Sequence, residues 1–305
     1  MSVQKTKPTI ENRDYPSREA LRSYYAQGWE RIWIDELDDQ LHPLNEGYRR
    51  RMEATFRALG LPDGSPATVL DAGCGIGIYA INLAKRWPQV QVVGFDISEK
   101  QIEIADRLAM EQEVAERCRF FVGDVNMIVL SETFDFVICS EVLEHLPNPS
   151  CALDNLSAMG TKRSVYVFSV PQLYHGCRKS GRFYKQLLPG GKELHTQDPK
   201  KIVEEVPVFE YYHALYRPRE LVHLLEQQGF SINHVEGVDF TIPLLSAKPE
   251  SGSSTRLVRK AFNLVVKALR AVPMHLSAEA DGLLNLVSGN LFAANLIVRS
   301  RLTLE

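Results

Sequence analysis

The chain has few cysteines and no arrangement of them that would stabilise a small fold. There are five cysteines in 305 residues, an odd number, and no two of them form a C-x-x-C pair. This spacing favours neither a disulfide framework nor a zinc site. Reduced thiols pack as small apolar side chains. We therefore expect a protein of the reducing cytosol, with a cytoplasmic location.

The chain also lacks a long apolar run and a surplus of basic residues. No stretch approaches the roughly 18 apolar residues of a membrane span, and the N-terminus has no apolar core of a secretion signal. The net charge is −3 and the pI is about 6.3, so the overall charge does not favour binding to nucleic acid. These absences predict a soluble, unsecreted protein and make nucleic acid an unfavoured partner.

The most informative stretch is residues 69–80, where an apolar strand ends at Asp71 and alternate glycines lead into an apolar helix. Gly73, Gly75 and Gly77 let the backbone turn sharply and let a ligand lie against bare main chain. The first turn of the following helix offers unpaired N–H groups. The pattern therefore predicts a loop that binds a nucleotide-type cofactor.

This loop departs from the dinucleotide fingerprint G-x-G-x-x-G. The third glycine, Gly77, comes one residue early, and Ile78 occupies its place. The Asp71 carboxylate would also repel a pyrophosphate, whereas a cationic ligand suits it. A dinucleotide-dependent oxidoreductase is therefore the weaker interpretation.

The pattern D-x-G-x-G-x-G at the end of a strand resembles motif I of the class I S-adenosylmethionine (SAM) methyltransferases. That resemblance implies that the loop carries the methionine part of SAM.

The alternation of strands and helices after residue 66 predicts an α/β fold. We expect a Rossmann-like, seven-stranded, mostly parallel sheet with helices on both faces. Residues 1–15 are expected to be a disordered lead, residues 16–60 an N-terminal helical cap, and residues 61–305 the SAM methyltransferase domain.

Two insertions interrupt this scheme and, with the N-terminal helices, are expected to form a cap. Residues 172–212 lie at the end of the sheet where ligands bind, which makes them the candidate acceptor lid. Residues 241–289 contain a basic amphipathic helix at 255–271. Such a helix more often packs on its own domain; the alternative is contact with a membrane surface or a lipid-linked substrate. Nothing in the sequence indicates the oligomeric state.

Two further acidic residues are placed to contact the cofactor. Asp96 ends the second predicted strand, about where an acid hydrogen-bonds ribose hydroxyls in such folds. Asp124 follows the third strand, and the resemblance implies a contact with the adenine amino group; capping of a turn is the alternative. The cofactor residues implied are Asp71, Gly73, Gly75, Gly77, Asp96, Ile97, Asp124, Val125 and Ser140.

The fourth strand opens into residues 140–147, which read S-E-V-L-E-H-L-P. In the first turn of a helix, Glu141, Glu144 and His145 would share one face. Two carboxylates and an imidazole suit Mg²⁺ or Mn²⁺. His213 is the fourth candidate ligand. The E-x-x-E-H run and the segment around His213 resemble two metal-assisted branches, the ubiquinone-pathway O-methyltransferases and the small-RNA 2′-O-methyltransferases.

Related methyltransferases without a metal carry a similar E-H run, so two mechanisms stay open. A metal would bind two neighbouring acceptor oxygens and lower the pKa of one, which is ~10 in an unperturbed phenol. Without a metal, Glu144 caps or orients the loop, and either His145 or His195, in the candidate lid, is the general base; the alternative for His145 is packing alone. The expected activity is SAM-dependent methyl transfer to a small molecule, foremost at a hydroxyl group. The alternatives are N- or C-methylation, RNA 2′-O-methylation, and SAM binding without transfer.

Overall fold

The structure is a computed structural model, and the part described here comprises residues 46–172, 181–188, 192–206, 208–240 and 293–303. The predictions for the disordered lead, the first cap helix and the basic helix at 255–271 lie outside these residues. No helix in the described ranges is both long and apolar enough to cross a membrane. The helices and strands are, in chain order, α1 Glu46–Leu59, β1 Ala67–Ala72, α2 Ile78–Arg86, β2 Val90–Asp96, α3 Glu99–Glu111, β3 Cys118–Val122, β4 Phe134–Ser140, α4 Ser150–Ala158, β5 Gly160–Pro171, β6 Gly181–Leu188, β7 Lys192–Thr196, β8 Phe209–His213, α5 Pro218–Gln227, β9 Phe230–Phe240 and β10 Ala293–Leu302.

The central sheet has seven strands in the order β3-β2-β1-β4-β5-β10-β9. Strands β1 to β5 pair in parallel, while β10 runs antiparallel to both of its neighbours, β5 and β9. Parallel strands covered on both faces are rich in apolar residues, as in the continuous buried run of β5. The predicted Rossmann-like, mostly parallel sheet is confirmed.

Helices cover both faces of this sheet and enclose two apolar cores. The first core contains Phe56 of α1, Ile81 of α2 and Leu108 of α3. The second contains Leu153 of α4 and Leu225 of α5. Each fully buried side chain of this size contributes roughly 1.5–3 kcal/mol. The two cores hold the carboxyl ends of the parallel strands rigidly in one row.

Helix α1 is the described part of the predicted N-terminal cap, and it packs against β5, β9 and β10. Arg57 near its end donates to Glu236 of β9, with 2.8 Å between Nη2 and Oε1. Phe56 lies edge-to-face on Trp87, with ring centroids 5.7 Å apart. These contacts bring the start of α1 to the carboxyl edge of the sheet.

The strand order reverses between β1 and β4, so the loops after these two strands flank a crevice, the usual ligand position in open α/β sheets. Gly73 follows β1 with φ +74°, and a Cβ there would overlap Cγ2 of Val142, which follows β4. Only glycine therefore allows the two loops to meet this closely.

The prediction of a helical turn at residues 140–146 is wrong. Glu141 has φ +57°, in the left-handed region, so the backbone leaves the strand by a sharp turn. A 3₁₀ turn over Leu143–His145 follows, and Leu146 is extended because a proline comes next. The α-helix begins only at Ser150. Glu141 thus points away from the common helical face predicted for it.

The predicted lid contains a three-stranded antiparallel sheet with β6 at its centre, between β7 and β8. Gln186 of β6, 1% exposed, donates to the carbonyls of Val203 and Val206 and accepts from the Val203 N–H. The Ala214 N–H just after β8 donates to the Glu144 carbonyl at 2.7 Å. This small sheet is therefore fastened to the turn that contains Glu144, and its role as a lid stays a prediction.

Gly73→Ala is expected to destabilise the protein more than Gly64→Ala. Both glycines have positive φ, +74° and +72°, so both substitutions incur the same strain of about 1–2 kcal/mol. Nothing lies within 4 Å of a Cβ at Gly64, whereas one at Gly73 meets Val142. Urea unfolding should show a further loss of ~1–3 kcal/mol for Gly73→Ala. Equal losses would mean that Val142 moves aside without cost.

Candidate functional site

The glycine loop is held by backbone hydrogen bonds to the neighbouring strand. The N–H groups of Gly73 and Cys74 both donate to the Phe95 carbonyl, at 2.8 and 2.9 Å. Gly75 and Gly77 have φ +55° and +79°, so all three glycines of the motif adopt the left-handed conformation. The predicted cofactor loop therefore lies at the crevice, with its backbone shape set before any ligand binds.

Asp71 lies beneath this loop and is 2% exposed. Burial raises the pKa of its carboxyl to about 7; the nearby Asp96 adds to the rise, and a hydrogen bond from the Ala80 N–H opposes it. Its Oδ2 atom is buried, and no donor among the described residues reaches it. A cation placed beside Asp71 would supply the missing partner and favour the charged form.

Asp96 stands at the end of β2, as predicted, and closes against the glycine loop. Its carboxylate accepts from the Gly75 N–H at 3.0 Å and from the Ser98 N–H at 2.9 Å. Burial raises its pKa, and these backbone donors oppose the rise. Ile97, the residue between Asp96 and Ser98, is half-buried. The predicted ribose contact of Asp96 and the predicted cofactor contact of Ile97 stay predictions.

Asp124 and Val125 are anchored within the protein at the end of β3. The Asp124 carboxylate accepts from the Asn126 N–H at 2.9 Å, which is the turn-capping arrangement. The Val125 side chain is buried in the second core, and its carbonyl accepts from Asn155. A ligand contact of the Val125 side chain is therefore disfavoured, while the predicted adenine contact of Asp124 stays a prediction.

Ser140 ends β4 within a hydrogen-bonded group of side chains. Its Oγ lies 2.6 Å from Ser169 Oγ and 3.1 Å from Tyr79 Oη. Ser169 Oγ in turn donates to Glu141 Oε1 at 3.1 Å. This group joins the ends of β4 and β5 to the first turn of α2.

Glu141 also faces Arg51 of α1, with 3.5 Å between Oε2 and Nη1. The Arg51 guanidinium stacks on Tyr48, 5.0 Å from the ring centroid. Tyr48 contacts Tyr79 edge-to-face, with centroids 5.7 Å apart. Sequence reasoning missed Arg51, although its spacing from Tyr48 (i, i+3) indicates the same face of α1.

Glu144 and His145 are packed together in the 3₁₀ turn. Glu144 is 1% exposed, and burial together with Glu141 raises the pKa of its carboxyl well above the usual range. Burial and the neighbouring His213 lower the pKa of His145 to about 3, although the Tyr212 carbonyl opposes the shift. Because the pKa of His145 is lowered to about 3, its imidazole is uncharged at neutral pH, and the 3.6 Å contact between His145 Nε2 and Glu144 Oε1 is not an ion pair.

The predicted metal ligands are only partly brought together. Glu144, His145 and His213 are adjacent, but the two oxygens of Glu141 are engaged by Arg51 and Ser169. Among the residues that the structure describes, no three His, Cys, Asp or Glu side chains are grouped so that they hold a metal ion. As folded, this set does not fit a divalent ion, and the metal site stays a prediction.

A series of aromatic and imidazole rings runs from this turn across the three-stranded sheet; we call it the ring ladder. Its centroid distances are 5.4 Å from His145 to His213, 6.4 Å from His213 to Phe183, 5.6 Å from Phe183 to Tyr211 and 6.3 Å from Tyr211 to His195. His195 is exposed at the far end, where its Nδ1 lies 3.0 Å from Tyr211 Oη. The two predicted base candidates, His145 and His195, therefore lie at opposite ends of the ladder.

Comparison with known proteins identifies similar chains. Residues 44–235 match the methyltransferase domain family. The ubiquinone biosynthesis O-methyltransferase of Acinetobacter baylyi is 27% identical over 178 residues, 56% of this chain and 66% of that protein, just under two thirds of its length. The enzyme of the same name from Leptothrix cholodnii is 25% identical over 237 residues, 76% of this chain and 89% of that protein.

Two solved structures share the fold. The [4+2]-cyclase SpnF aligns with a TM-score of 0.54 and 17% identity, covering 94% of this chain and 93% of that one. The complex of DhpI with S-adenosylhomocysteine (SAH) aligns with a TM-score of 0.53 and 14% identity, covering 94% of this chain and 98% of that one. Because one of these proteins is a cyclase, the likeness establishes the fold alone.

Asp71→Asn is expected to change how stability depends on pH. The pKa of Asp71 is about 7 in the folded protein and ~4 in an unfolded chain, so the folded state binds the extra proton between these values. The unloaded wild type therefore loses stability as pH rises from about 4 to about 7, at up to ~1.4 kcal/mol per pH unit.

The asparagine variant carries no charge to bury, so its stability relative to the wild type should increase over that range. Urea unfolding of both proteins in cofactor-free buffer at several pH values measures this difference. A difference that does not change with pH would contradict a raised pKa at Asp71.

Proposed function

Because the chain belongs to the class I SAM-dependent methyltransferases, we propose that it transfers the methyl group of SAM to a hydroxyl group of a small molecule of the quinone or natural-product type. Relatives named ubiquinone biosynthesis O-methyltransferase support oxygen as the acceptor atom. The net charge of −3 supports a small molecule over nucleic acid. The observation that carries the proposal is the ring ladder beside the cofactor loop.

The ring ladder offers a wall of flat side chains for a planar acceptor. Its rings stand 5.4–6.4 Å apart, the spacing at which aromatic groups stack or meet edge-to-face. Its inner end, His145, lies in the turn after β4. Val142, three residues before His145, contacts Gly73 of the glycine loop. An acceptor lying along the ladder would present one end to the methyl group of a cofactor held by the glycine loop.

The chemical step asks little covalent work of the protein. The acceptor oxygen forms a bond to the methyl carbon as the bond from sulfur to that carbon breaks, S-adenosylhomocysteine (SAH) leaves, and the hydroxyl proton passes to a base. The sulfonium is already reactive, so the main task is to hold the oxygen in line with the methyl group at about 3 Å.

We assign the base role to His145 and the task of holding the turn to Glu144. At neutral pH the uncharged imidazole of His145 carries a lone pair on one ring nitrogen and can accept a proton. The pKa of about 3 describes His145 in the site without a ligand. Negative charge developing on an acceptor oxygen beside the ring would raise that value during the reaction. The engagement of Glu141 by Arg51 and Ser169 supports this route over one through a metal ion.

We also propose the reducing cytosol as the compartment. The four cysteines in the described residues are free thiols, which is the form that a reducing environment maintains. Contact of residues 255–271 with a membrane or lipid-linked substrate stays a prediction about a segment outside the described residues.

The metal-free route predicts that activity survives chelation. The full-length protein, stripped with EDTA, is incubated with SAM and a panel of catechols, phenols and amines, and SAH and methylated products are followed by mass spectrometry. We expect a methylated hydroxyl and a rate that added Mg²⁺ or Mn²⁺ does not change.

A rate that requires either ion would overturn the histidine route. So would calorimetric binding of about one Mn²⁺ per SAH-saturated chain that is lost in both Glu144→Ala and His213→Ala. Products methylated at nitrogen or carbon would overturn the choice of oxygen, and SAH binding without turnover on any acceptor would indicate a SAM-binding protein that does not transfer methyl groups.

Phe183→Ala is expected to raise the KM for the acceptor by about tenfold, the effect of one lost aromatic contact of ~1.4 kcal/mol, and to leave the KM for SAM unchanged. Tyr184→Ala is the matched control, because the next residue along β6 faces the other side of the lid. The two variants are compared with the wild type in steady-state kinetics. Equal effects of both would contradict acceptor binding along the ring ladder.

A further inference from the structure

The 3₁₀ turn that contains His145 has few hydrogen bonds of its own. It is three residues long, Leu143–His145, and a residue with positive φ separates it from β4. Its local hydrogen bonds run from the His145 N–H to the Val142 carbonyl at 3.0 Å and from the Leu146 N–H to the Leu143 carbonyl at 3.2 Å. A 3₁₀ turn this short has poor hydrogen-bond geometry and little stability by itself. The orientation of the turn therefore depends on groups outside it.

The segment after β8 supplies two hydrogen bonds to the carbonyls of this turn. The Ala214 N–H donates to the Glu144 carbonyl at 2.7 Å. The Tyr216 hydroxyl donates to the Leu143 carbonyl at 3.2 Å. The backbone of Tyr216 is itself fixed to the central sheet, because its N–H donates to the carbonyl of Pro171, the last residue of β5. Tyr216 thus connects the end of β5 to the turn through its side chain.

A third hydrogen bond determines which nitrogen of His145 carries the proton. Nδ1 lies 3.3 Å from the Tyr212 carbonyl. A carbonyl oxygen only accepts, and an uncharged imidazole has one donor nitrogen and one acceptor nitrogen. Nδ1 therefore carries the proton and Nε2 carries the lone pair. The distance from Nε2 to Glu144 Oε1, 3.6 Å, is longer than a hydrogen bond, so the Glu144 carboxyl does not occupy that lone pair.

A general base acts only within hydrogen-bond reach of the proton that it removes, so a small rotation of the turn would move Nε2 out of range. We propose that Tyr216 is a positioning residue for methyl transfer: its hydroxyl holds the Leu143 carbonyl, and with it the turn, so that Nε2 of His145 is the atom that takes the acceptor's proton. The acceptor oxygen bonds to the methyl carbon as the carbon–sulfur bond breaks, and the hydroxyl proton moves to the Nε2 lone pair. This inference rests on the proposed function, since it requires His145 to act as the base.

Tyr166 provides a matched control for Tyr216. It also donates its hydroxyl to a backbone carbonyl, that of Ser157 at 3.4 Å. The Tyr166 hydroxyl packs against Gly160 at the start of β5, at the edge of the sheet opposite the crevice. Tyr216→Phe and Tyr166→Phe each remove one hydroxyl and keep the ring, so only Tyr216→Phe should disturb the turn.

Steady-state kinetics with a methylated hydroxyl acceptor are measured for the wild type and both variants. We expect Tyr216→Phe to lower kcat by about tenfold, which corresponds to ~1.4 kcal/mol and is within the range of one lost hydrogen bond. The KM values for SAM and for the acceptor should not change, because the residue acts on the base and not on either ligand. Tyr166→Phe should keep the wild-type kcat.

A spectroscopic measurement separates positioning of the base from a general structural role. ¹⁵N NMR of histidine-labelled, SAH-saturated protein distinguishes a protonated from an unprotonated ring nitrogen, and His145→Gln assigns the signals of His145. The wild type and Tyr166→Phe should show His145 protonated at Nδ1 alone. Tyr216→Phe should show both tautomers, because a looser turn no longer holds Nδ1 against the Tyr212 carbonyl.

A wild-type His145 protonated at Nε2 would overturn the inference, and this measurement depends on no variant. So would a wild-type kcat in Tyr216→Phe, or an equal loss of kcat in Tyr216→Phe and Tyr166→Phe. Failure of the wild type to methylate any hydroxyl acceptor would instead overturn the proposed function, and with it the role of Tyr216 whatever the tautomer, so the two failures are distinguishable.

Discussion

The loops after β1 and β4 meet with no space for a side chain at Gly73, and the rest of the site depends on that close approach. Gly73 and Glu141 both adopt left-handed backbone conformations, one on each side of the contact. The turn at Glu141 then directs its carboxylate to Arg51 and leaves Glu144 and His145 in a separate 3₁₀ turn. The positions of the cofactor loop and of the proposed base are thus consequences of one steric constraint at the point where the strand order reverses.

Within the part of the chain that the structure describes, some polar groups of the unloaded site have no partner. Asp71, Arg51 and Glu144 each have a buried side-chain atom that no described residue hydrogen-bonds. Such atoms reduce the stability of the empty protein, and a ligand that completes them recovers the loss as binding free energy. Burial of apolar side chains in the two cores offsets this loss of stability. The fold therefore has lower stability in the empty state and recovers it when a ligand completes these groups.

Local patterns predicted most of the fold and the cofactor loop, because the signals involved are local. The loop after Asp71 has left-handed backbone at alternate positions, which only glycine adopts easily, so the glycines mark it in the sequence. The apolar runs of the strands indicate burial on both faces. The turn at Glu141 could not be predicted, because a single residue with positive φ breaks an otherwise helical spacing. Arg51 was missed for another reason: its place in the site depends on how α1 docks on strands far away in sequence.

Helix α1 has a further consequence for the order in which the chain folds. It precedes β1 in sequence, yet it packs against β9 and β10, and its ion pair with Glu236 spans 179 residues. Contacts so distant in sequence form late, since closing a long loop costs entropy before any contact repays it. On a ribosome, α1 would be among the first described elements to emerge and among the last to dock. The glycine loop would therefore form before α1 docks on the sheet, and the crevice would be complete only after β10 has been synthesised.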